Sequence, residues 1–136
     1  MDPVTITEDK LETGLRGIPV GYCPTSKVDP LKGLSYCGMP IADLAYREPI
    51  DVIYLLLNRH FASDSELATF KAELKQRAVL PTGFREYLKT LPPRGHPMKW
   101  FVSSILGLGM LGGKDDYRED CLNLIAWMPE VAGLVL

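Results

Sequence analysis

Residues 49–81 read PIDVIYLLLNRHFASDSELATFKAELKQRAVLP, and this stretch decides the fold class because two helices follow each other in it. Pro49 suits the first turn of the first helix, whose apolar side chains lie nearly all round it and predict that it is buried. Ser63 and Glu66 have the spacing of a capping box that starts the second helix. The apolar stripe of that second helix comprises Leu67, Phe70, Leu74 and Ala78.

Helical patterns continue downstream of this stretch, so the chain is predicted to be mainly α. A short helix is predicted over residues 83–90, and a longer one runs from Pro97 toward Met110. A further helix opens at Asp115 and Asp116, and Pro129 is expected to break or restart it. The end of the helix that begins at Pro97 is expected to be weakened by Gly107, Gly109, Gly112 and Gly113.

The part upstream of residue 49 is rich in glycine and proline and predicts a small β hairpin. Its strands are expected at residues 18–23 and 34–37, joined by a turn at residues 29–33, and a short helix follows through Tyr46. Residues 1–13 are polar and are expected to be irregular or a short edge strand. The predicted organisation is an irregular segment, 1–13, followed by one helical domain portion, 14–136.

Composition excludes several classes of protein. The chain has 136 residues and a formal net charge of −2, without the basic excess of a nucleic-acid binder. Its apolar runs are too short to span a membrane, and its first residues resemble neither a secretory signal nor a transit peptide. We therefore expect no nucleic-acid partner, no membrane partner and a cytoplasmic location, although a processed protein of the mitochondrial matrix would have the same composition.

Three cysteines, at positions 23, 37 and 121, include no CxxC pair. Zinc binding is therefore not indicated, and no metal site is predicted. Free thiols in a reducing compartment are the preferred interpretation. A bond between Cys23 and Cys37 across the hairpin stays an open alternative.

The two histidines are the first candidates for catalysis. His96 stands directly before Pro97, and the structural interpretation is that it starts a helix rather than acting as a base or a metal ligand. His60 follows a helix, where a cationic side chain meets the last carbonyls favourably. The acidic group Asp115, Asp116, Glu119 and Asp120 is interpreted as a solvated helix start.

Arg16 is the remaining candidate and lies in the segment GLRG between Gly14 and Gly17. An arginine on such a turn can hold a phosphate through two parallel hydrogen bonds. The alternative is a surface arginine paired with an acid such as Glu12. Spacing alone favours the surface pair.

Several segments occur in an order that resembles one family. They are GLRG, DPLKGLSYCGMPIADLA, IDVIYLLLNRHFASDSELATFKAELKQRAVLP, LPPRGHPM and LNLIAWMPEVAG. Together they resemble the N-terminal part of citrate synthases, including 2-methylcitrate synthases, and the branch that includes the eukaryotic enzymes in particular. Two positions depart from the family: Cys37 stands where an arginine is usual, and Arg59 stands where a helix usually ends in glycine.

The resemblance implies a mainly α fold, a portion of the multi-helical large domain with a small N-terminal hairpin. It implies an enzyme that condenses acetyl-CoA, or propionyl-CoA, with oxaloacetate. In the family an aspartate removes a proton from the acyl methyl group while a histidine stabilises the enol. No position of this chain matches those residues, so none is predicted to be catalytic, whereas Arg16 matches the arginine that contacts the phosphate of coenzyme A. No tightly bound cofactor is expected, since the CoA thioester is a substrate.

The last residues, 134–136, are apolar and carry no helix cap, which predicts that the chain is the front part of something longer. Such a segment would be inactive alone. Its expected partners are a second copy of itself, in a dimer or larger assembly, and the missing C-terminal portion. Two alternatives stay open, namely one subunit of a split enzyme and a non-catalytic helical interaction module.

Overall fold

Residues 5–13, 16, 21–92 and 94–135 are described by the computed structural model, in which the chain forms two units, Met1–Ala62 and Ser63–Leu136. A three-stranded antiparallel sheet lies in the first unit, and the second is built from helices. This arrangement confirms the prediction of a mainly α chain with a small hairpin near its start. The prediction that residues 14–136 are one domain portion stays a prediction.

The sheet comprises β1 (Ser26–Asp29), β2 (Gly33–Tyr36) and β3 (Met39–Pro40) in that order. The turn between β1 and β2 lies where it is predicted, at residues 29–33. The Asp29 carboxylate accepts the backbone N–H groups of Leu31 and Lys32 at 2.9 and 3.0 Å, and these bonds hold the pKa of Asp29 below its usual range. Gly33 completes the turn at a φ of 80°.

The first strand begins later than predicted. Residues 18–20 lie outside the described residues, and residues 21–23 have no regular secondary structure. The ladder starts at Ser26, opposite Tyr36, and only one more backbone hydrogen bond follows, from Cys37 to Thr25 at 2.9 Å, because Cys37 already belongs to the turn into β3. The length of the second strand therefore sets where the first one begins.

Short helices complete the first unit. They are α1 (Glu8–Leu11), α2 (Ile41–Leu44) and α3 (Pro49–Asn58). Helix α1 lies in the segment that the sequence predicts to be irregular or a short edge strand. Helix α3 begins at Pro49 as predicted, but only Leu55 is fully buried and most of its other residues are half-buried. The predicted burial of α3 is therefore only partial, because the described residues cover only part of its apolar surface.

The second unit opens with α4 (Asp64–Arg77), and the predicted capping box is confirmed at its start. The Ser63 hydroxyl accepts the backbone N–H of Glu66 at 3.4 Å, and the Glu66 carboxylate accepts the backbone N–H of Ser63 at 2.8 Å. Both bonds satisfy N–H groups that have no partner within the helix. Phe70, in the middle of the predicted stripe, is buried.

Three further helices form the hydrophobic core of this unit. They are α5 (Phe84–Thr90), α6 (Pro97–Gly112) and α7 (Tyr117–Val135). The buried cluster takes side chains from all three and comprises Phe84, Leu88, Leu108, Trp127 and Val131. The Trp127 indole N–H donates to the carbonyl of Val79 at 3.0 Å, so the one polar atom of that ring is satisfied.

Helix α7 continues through Pro129, and the prediction that this proline breaks or restarts the helix is wrong. Proline removes one backbone N–H and normally costs a helix interior about 3 kcal/mol. Trp127 and Val131, on either side of the proline, are 7% and 0% exposed. Burial of both side chains in the same core holds the two halves in one helix and offsets the cost.

The glycines of α6 permit close packing. A Cβ on Gly107 would lie 2.2 Å from Cε1 of Tyr87, and one on Gly112 would lie 2.7 Å from Cγ of Pro81. The Tyr87 hydroxyl donates to the carbonyl of Ser103 at 2.9 Å and fixes the ring over the helix. Helix α6 therefore extends to Gly112 despite the expected weakening, because tertiary contacts outweigh the low helix propensity of glycine.

Among the described residues, no helix is long and apolar enough to cross a membrane.

Substitution of two α6 glycines should give opposite results. Gly107→Ala is expected to destabilise the chain by about 1–3 kcal/mol because the new methyl group overlaps the Tyr87 ring. Gly109→Ala is the matched control: a Cβ there meets nothing within 4 Å, so it should stabilise by about 0.5–1 kcal/mol. Urea unfolding measures both, and equal effects at the two positions would contradict the packing role of Gly107.

Candidate functional site

His96 is the residue that precedes α6, and its ring caps that helix. Its Nδ1 accepts the backbone N–H of Met98 at 3.2 Å, and Pro97 occupies the first helical position. The side chain satisfies an N–H group at the helix start that would otherwise lack an intrahelical partner. The prediction that His96 starts this helix is confirmed.

His60 also has structural contacts, although they differ from those expected. Helix α3 ends at Arg59, which adopts a left-handed backbone with a φ of 65° and turns the chain away from the helix axis. Nδ1 of His60 therefore lies 3.0 Å from the carbonyl of Phe61 rather than against the last helical carbonyls. The ring packs edge-on against Tyr54 with centroids 5.7 Å apart.

Arg16, the predicted phosphate-binding residue, is an exposed turn residue. The flanking Gly14 and Gly17, and with them the predicted tight turn, lie outside the described residues. Both interpretations of Arg16, as a phosphate ligand and as a surface partner of Glu12, stay predictions.

Arg77 forms the most extensive polar contact in the second unit and joins α4 to α7. Its guanidinium donates to Glu73 at 2.8 and 3.0 Å, to Glu119 at 2.7 and 3.1 Å, and to Asn123 Oδ1 at 2.9 Å. The hydrogen bonds to Glu119 and then Glu73 raise the pKa of Arg77, and Arg77 in turn lowers the pKa of Glu119. The cluster joins the two helices and uses all five N–H donors of the Arg77 guanidinium.

The acidic group at the start of α7 is only in part the solvated helix start that is predicted. Asp116 accepts the N–H groups of Arg118 and Glu119 at 2.9 and 3.0 Å and acts as a helix cap. Asp120 accepts the N–H of Lys114 at 2.8 Å. Glu119, however, also pairs with Arg77 of α4, although its side chain remains 47% exposed. The two residues are far apart in sequence, and only the packing of α4 against α7 brings them together.

Both departures from the family pattern lie at left-handed backbone positions. Cys37 has a φ of 48° and is followed by Gly38 at 83°, which forms the two-residue turn between β2 and β3. Arg59 has a φ of 65° at the end of α3. The turn and the helix end therefore form without the residue types that the family pattern supplies, although a non-glycine residue there costs conformational energy.

The three cysteines are free thiols, as predicted. Cys23 is exposed, and its sulfur lies 3.3 Å from the Ser26 hydroxyl and 3.5 Å from the Thr25 hydroxyl. The hydrogen bond with Ser26, followed by that with Thr25, lowers the pKa of Cys23 to about 6 from an ordinary value of 9.0. Cys37 and Cys121 are half-buried.

The second unit contains a cavity of about 380 Å³ at the surface of α5 and α6. Its charged lining residues are already paired, Arg85 with Glu130 and Lys89 with Glu86 at 2.8 Å. Trp100 and Leu134 contribute apolar surface. In the part of the chain that the structure describes, no three His, Cys, Asp or Glu side chains are grouped so that they could hold a metal ion.

Comparison with known proteins identifies the family. A family model described as citrate synthase, C-terminal domain, matches residues 14–136. The chain belongs to the citrate synthase family. This match begins at Gly14, where the sequence resemblance also begins, and it covers all five of the segments that carry the resemblance.

Curated relatives agree with this assignment. The protein named citrate synthase 4, mitochondrial, from Arabidopsis thaliana is 29% identical over 154 residues, which cover 96% of this chain and 32% of the relative. The 2-methylcitrate synthase of Shewanella oneidensis is 32% identical over 123 residues, which cover 87% of this chain and 33% of the relative. The chain thus spans about a third of the length of these relatives.

A solved structure shares the fold. It is a ternary complex of carboxymethyl coenzyme A and oxaloacetate with citrate synthase from the archaeon Thermoplasma acidophilum. The TM-score is 0.78 at 16% identity, over 91% of this chain and 35% of the archaeal chain. The predicted citrate synthase-like architecture is therefore confirmed.

The Arg77–Glu119 ion pair predicts an acid-sensitive stability. Because the pKa of Glu119 is lowered in the folded chain, its stabilising contribution is present above the ordinary value of 4.5 and is lost as the pH falls through the folded pKa. Urea midpoints measured from pH 7 to pH 3 should therefore fall more steeply for the natural chain than for Glu119→Gln. The control is Glu86→Gln, which removes an exposed carboxylate from a surface pair. Parallel pH profiles for the natural chain and Glu119→Gln would contradict this role.

Proposed function

We propose that this chain is the N-terminal segment of a citrate synthase-type enzyme, which condenses an acyl-CoA with oxaloacetate. The observation that carries the proposal is the family match over residues 14–136. Acetyl-CoA is the proposed acyl donor. Propionyl-CoA is the alternative, because a 2-methylcitrate synthase is among the relatives. The order of the sequence segments supports the N-terminal position within the enzyme.

The chain alone is proposed to be inactive as a synthase. General acid–base chemistry needs a titratable side chain within reach of the proton that moves. The ring of His96 caps α6, and that of His60 contacts Tyr54 and Phe61, so each described histidine has a structural use. The aspartate and the histidines that move protons are therefore assigned to the remainder of the enzyme.

Arg16 is proposed to bind a phosphate group of the acyl-CoA when the rest of the site is present. Its position in GLRG matches the family's CoA-contacting arginine, and its exposure leaves the guanidinium accessible. The archaeal relative of the same fold binds carboxymethyl coenzyme A, which supports a CoA thioester as substrate and no tightly held cofactor. A guanidinium suits phosphate because it donates two parallel hydrogen bonds.

The proposed partners are the rest of the enzyme and a second copy of the chain. Helix α6 supports the second copy, because it presents an exposed apolar stripe at intervals of one turn, namely Met98, Val102, Leu106 and Met110. These side chains are 53–75% exposed, and α6 carries no acidic residue to attract a basic partner. An uncharged stripe on a long helix is self-complementary, as a two-fold interface requires.

The proposed location is the cytoplasm, or the mitochondrial matrix if the protein is eukaryotic and processed. Mitochondrial enzymes among the relatives support the second possibility.

The role of Arg16 can be tested in the enzyme assembled from this chain and the remaining portion. Arg16→Gln should raise the KM for acetyl-CoA about tenfold or more while the KM for oxaloacetate stays unchanged, because only the CoA phosphate loses a charged hydrogen-bond donor. Arg94→Gln is the control, since it removes an exposed arginine from a loop of the second unit and should leave both constants unchanged. A natural chain that catalyses citrate formation without any other polypeptide would overturn the proposal itself.

The role of α6 can be tested by sedimentation of the natural chain and two variants. The natural chain should sediment as a dimer or larger, and Leu106→Glu should shift it toward the monomer because a carboxylate cannot be buried in an apolar interface without a partner. Leu31→Glu is the matched control, since Leu31 is 97% exposed in the hairpin turn and lies outside α6. A monomeric natural chain would instead favour an independent interaction module.

A further inference from the structure

Two thiols of the first unit, Cys23 and Cys37, line the same surface cavity. The cavity has a volume of about 270 Å³, and Lys27 and Ser35 contribute to its walls. Cys23 precedes β1, whereas Cys37 lies in the turn between β2 and β3. The fold of the sheet therefore brings together two cysteines that belong to different segments of the hairpin.

Thr25 is the residue that both thiols contact. The Thr25 hydroxyl lies 3.5 Å from the sulfur of Cys23, and its carbonyl accepts the backbone N–H of Cys37 at 2.9 Å. The sulfur of Cys37 lies 3.9 Å from the same carbonyl. Cys37 is thus the cross-strand neighbour of Thr25, and Cys23 is only two residues away from Thr25 along the chain.

The two thiols differ in exposure and in hydrogen bonding, as an attacking thiol and a resolving thiol should. Cys23 is exposed, and the hydroxyls of Ser26 and Thr25 stabilise its thiolate, so that this sulfur is a nucleophile at neutral pH. Cys37 is half-buried, and its thiol donates to the carbonyl of Leu55 at 3.6 Å. An incoming oxidant therefore meets Cys23 first, and Cys37 is held close by.

We propose that Cys23 and Cys37 form a reversible disulfide, with Cys23 as the attacking thiol and Cys37 as the resolving thiol. The oxidant is a small-molecule disulfide. The Cys23 thiolate attacks one sulfur of that disulfide, forms a mixed disulfide and expels one small thiolate. The Cys37 thiol then gives its proton to the small thiolate that was expelled first, attacks the Cys23 sulfur and expels the second small thiolate, which takes a proton from water. Two protein thiols are thereby oxidised and one small disulfide is reduced to two thiols.

The sheet holds the backbone of Cys37 but not that of Cys23. A disulfide requires Cα atoms about 4.4–6.8 Å apart. Residues 21–23 have no regular secondary structure, so Cys23 can move toward the turn without breaking a hydrogen bond of the sheet. The β1–β2 ladder meanwhile keeps Cys37 in place, because its register runs from Asp29–Gly33 to Ser26–Tyr36.

The first test treats the natural chain with oxidised glutathione and measures the intact mass and the linked peptides. The expected product has lost two hydrogen atoms and contains one peptide link between Cys23 and Cys37. Cys37→Ser should stop at a glutathione adduct on Cys23, and Cys121→Ser is the matched control that should react like the natural chain. A link from either cysteine to Cys121, or a stable adduct on Cys23 in the natural chain, would overturn the proposal.

The second test follows the rate of alkylation of Cys23 by iodoacetamide as a function of pH. The pKa of about 6 predicts a midpoint well below that of an ordinary thiol, and Ser26→Ala should raise the midpoint because the first of the stabilising hydroxyls is removed. Ser26→Ala should also slow the reaction with oxidised glutathione at pH 6. An ordinary midpoint for Cys23, or a Cys23→Ser chain in which Cys37 takes up glutathione as fast as Cys23 does in the natural chain, would show that Cys23 is not the attacking thiol.

Discussion

The packing of α7 against α5 and α6 is the constraint on which the second unit depends. Phe84, Leu108 and Val131 come from the three helices and are all 0% exposed. Burial of apolar surface is the main favourable term in folding, and close packing makes each contact specific. The same contacts explain why α7 passes through Pro129 without a break and why α6 needs glycine at position 107, where the Tyr87 ring leaves no space for a Cβ.

Polar contacts then fix what the core has brought together. Arg77 joins α4 to α7 through Glu119 and the buried Asn123, and Trp127 reaches the carbonyl of Val79. A buried polar group without a partner costs more than a hydrogen bond contributes, so these pairs specify one arrangement of the helices. Arg77 and Glu119 thus serve the architecture of the second unit by joining two of its helices.

The first unit has a different balance between structure and chemistry. Its turns are set by Asp29 and by four described residues with positive φ, two of them glycines, and its sheet is small. It contains the side chains for which we propose a binding or redox role, namely the exposed Arg16 and the thiols of Cys23 and Cys37. The chain belongs to the citrate synthase family, and the match to the family model includes residues of both units.

The sequence by itself determined the features that depend on neighbours in the chain. The capping box of Ser63, the turn at Asp29, the start of α6 at His96 and the family itself could all be read from local patterns, because each involves residues within a few positions. Tertiary structure alone decided the path of α7 through Pro129, the close contact of Gly107 with Tyr87 and the pairing of Glu119 with Arg77. These depend on residues that are distant in sequence, and the energy of burying them together overrides what the local propensities of proline, glycine and an acidic helix start predict.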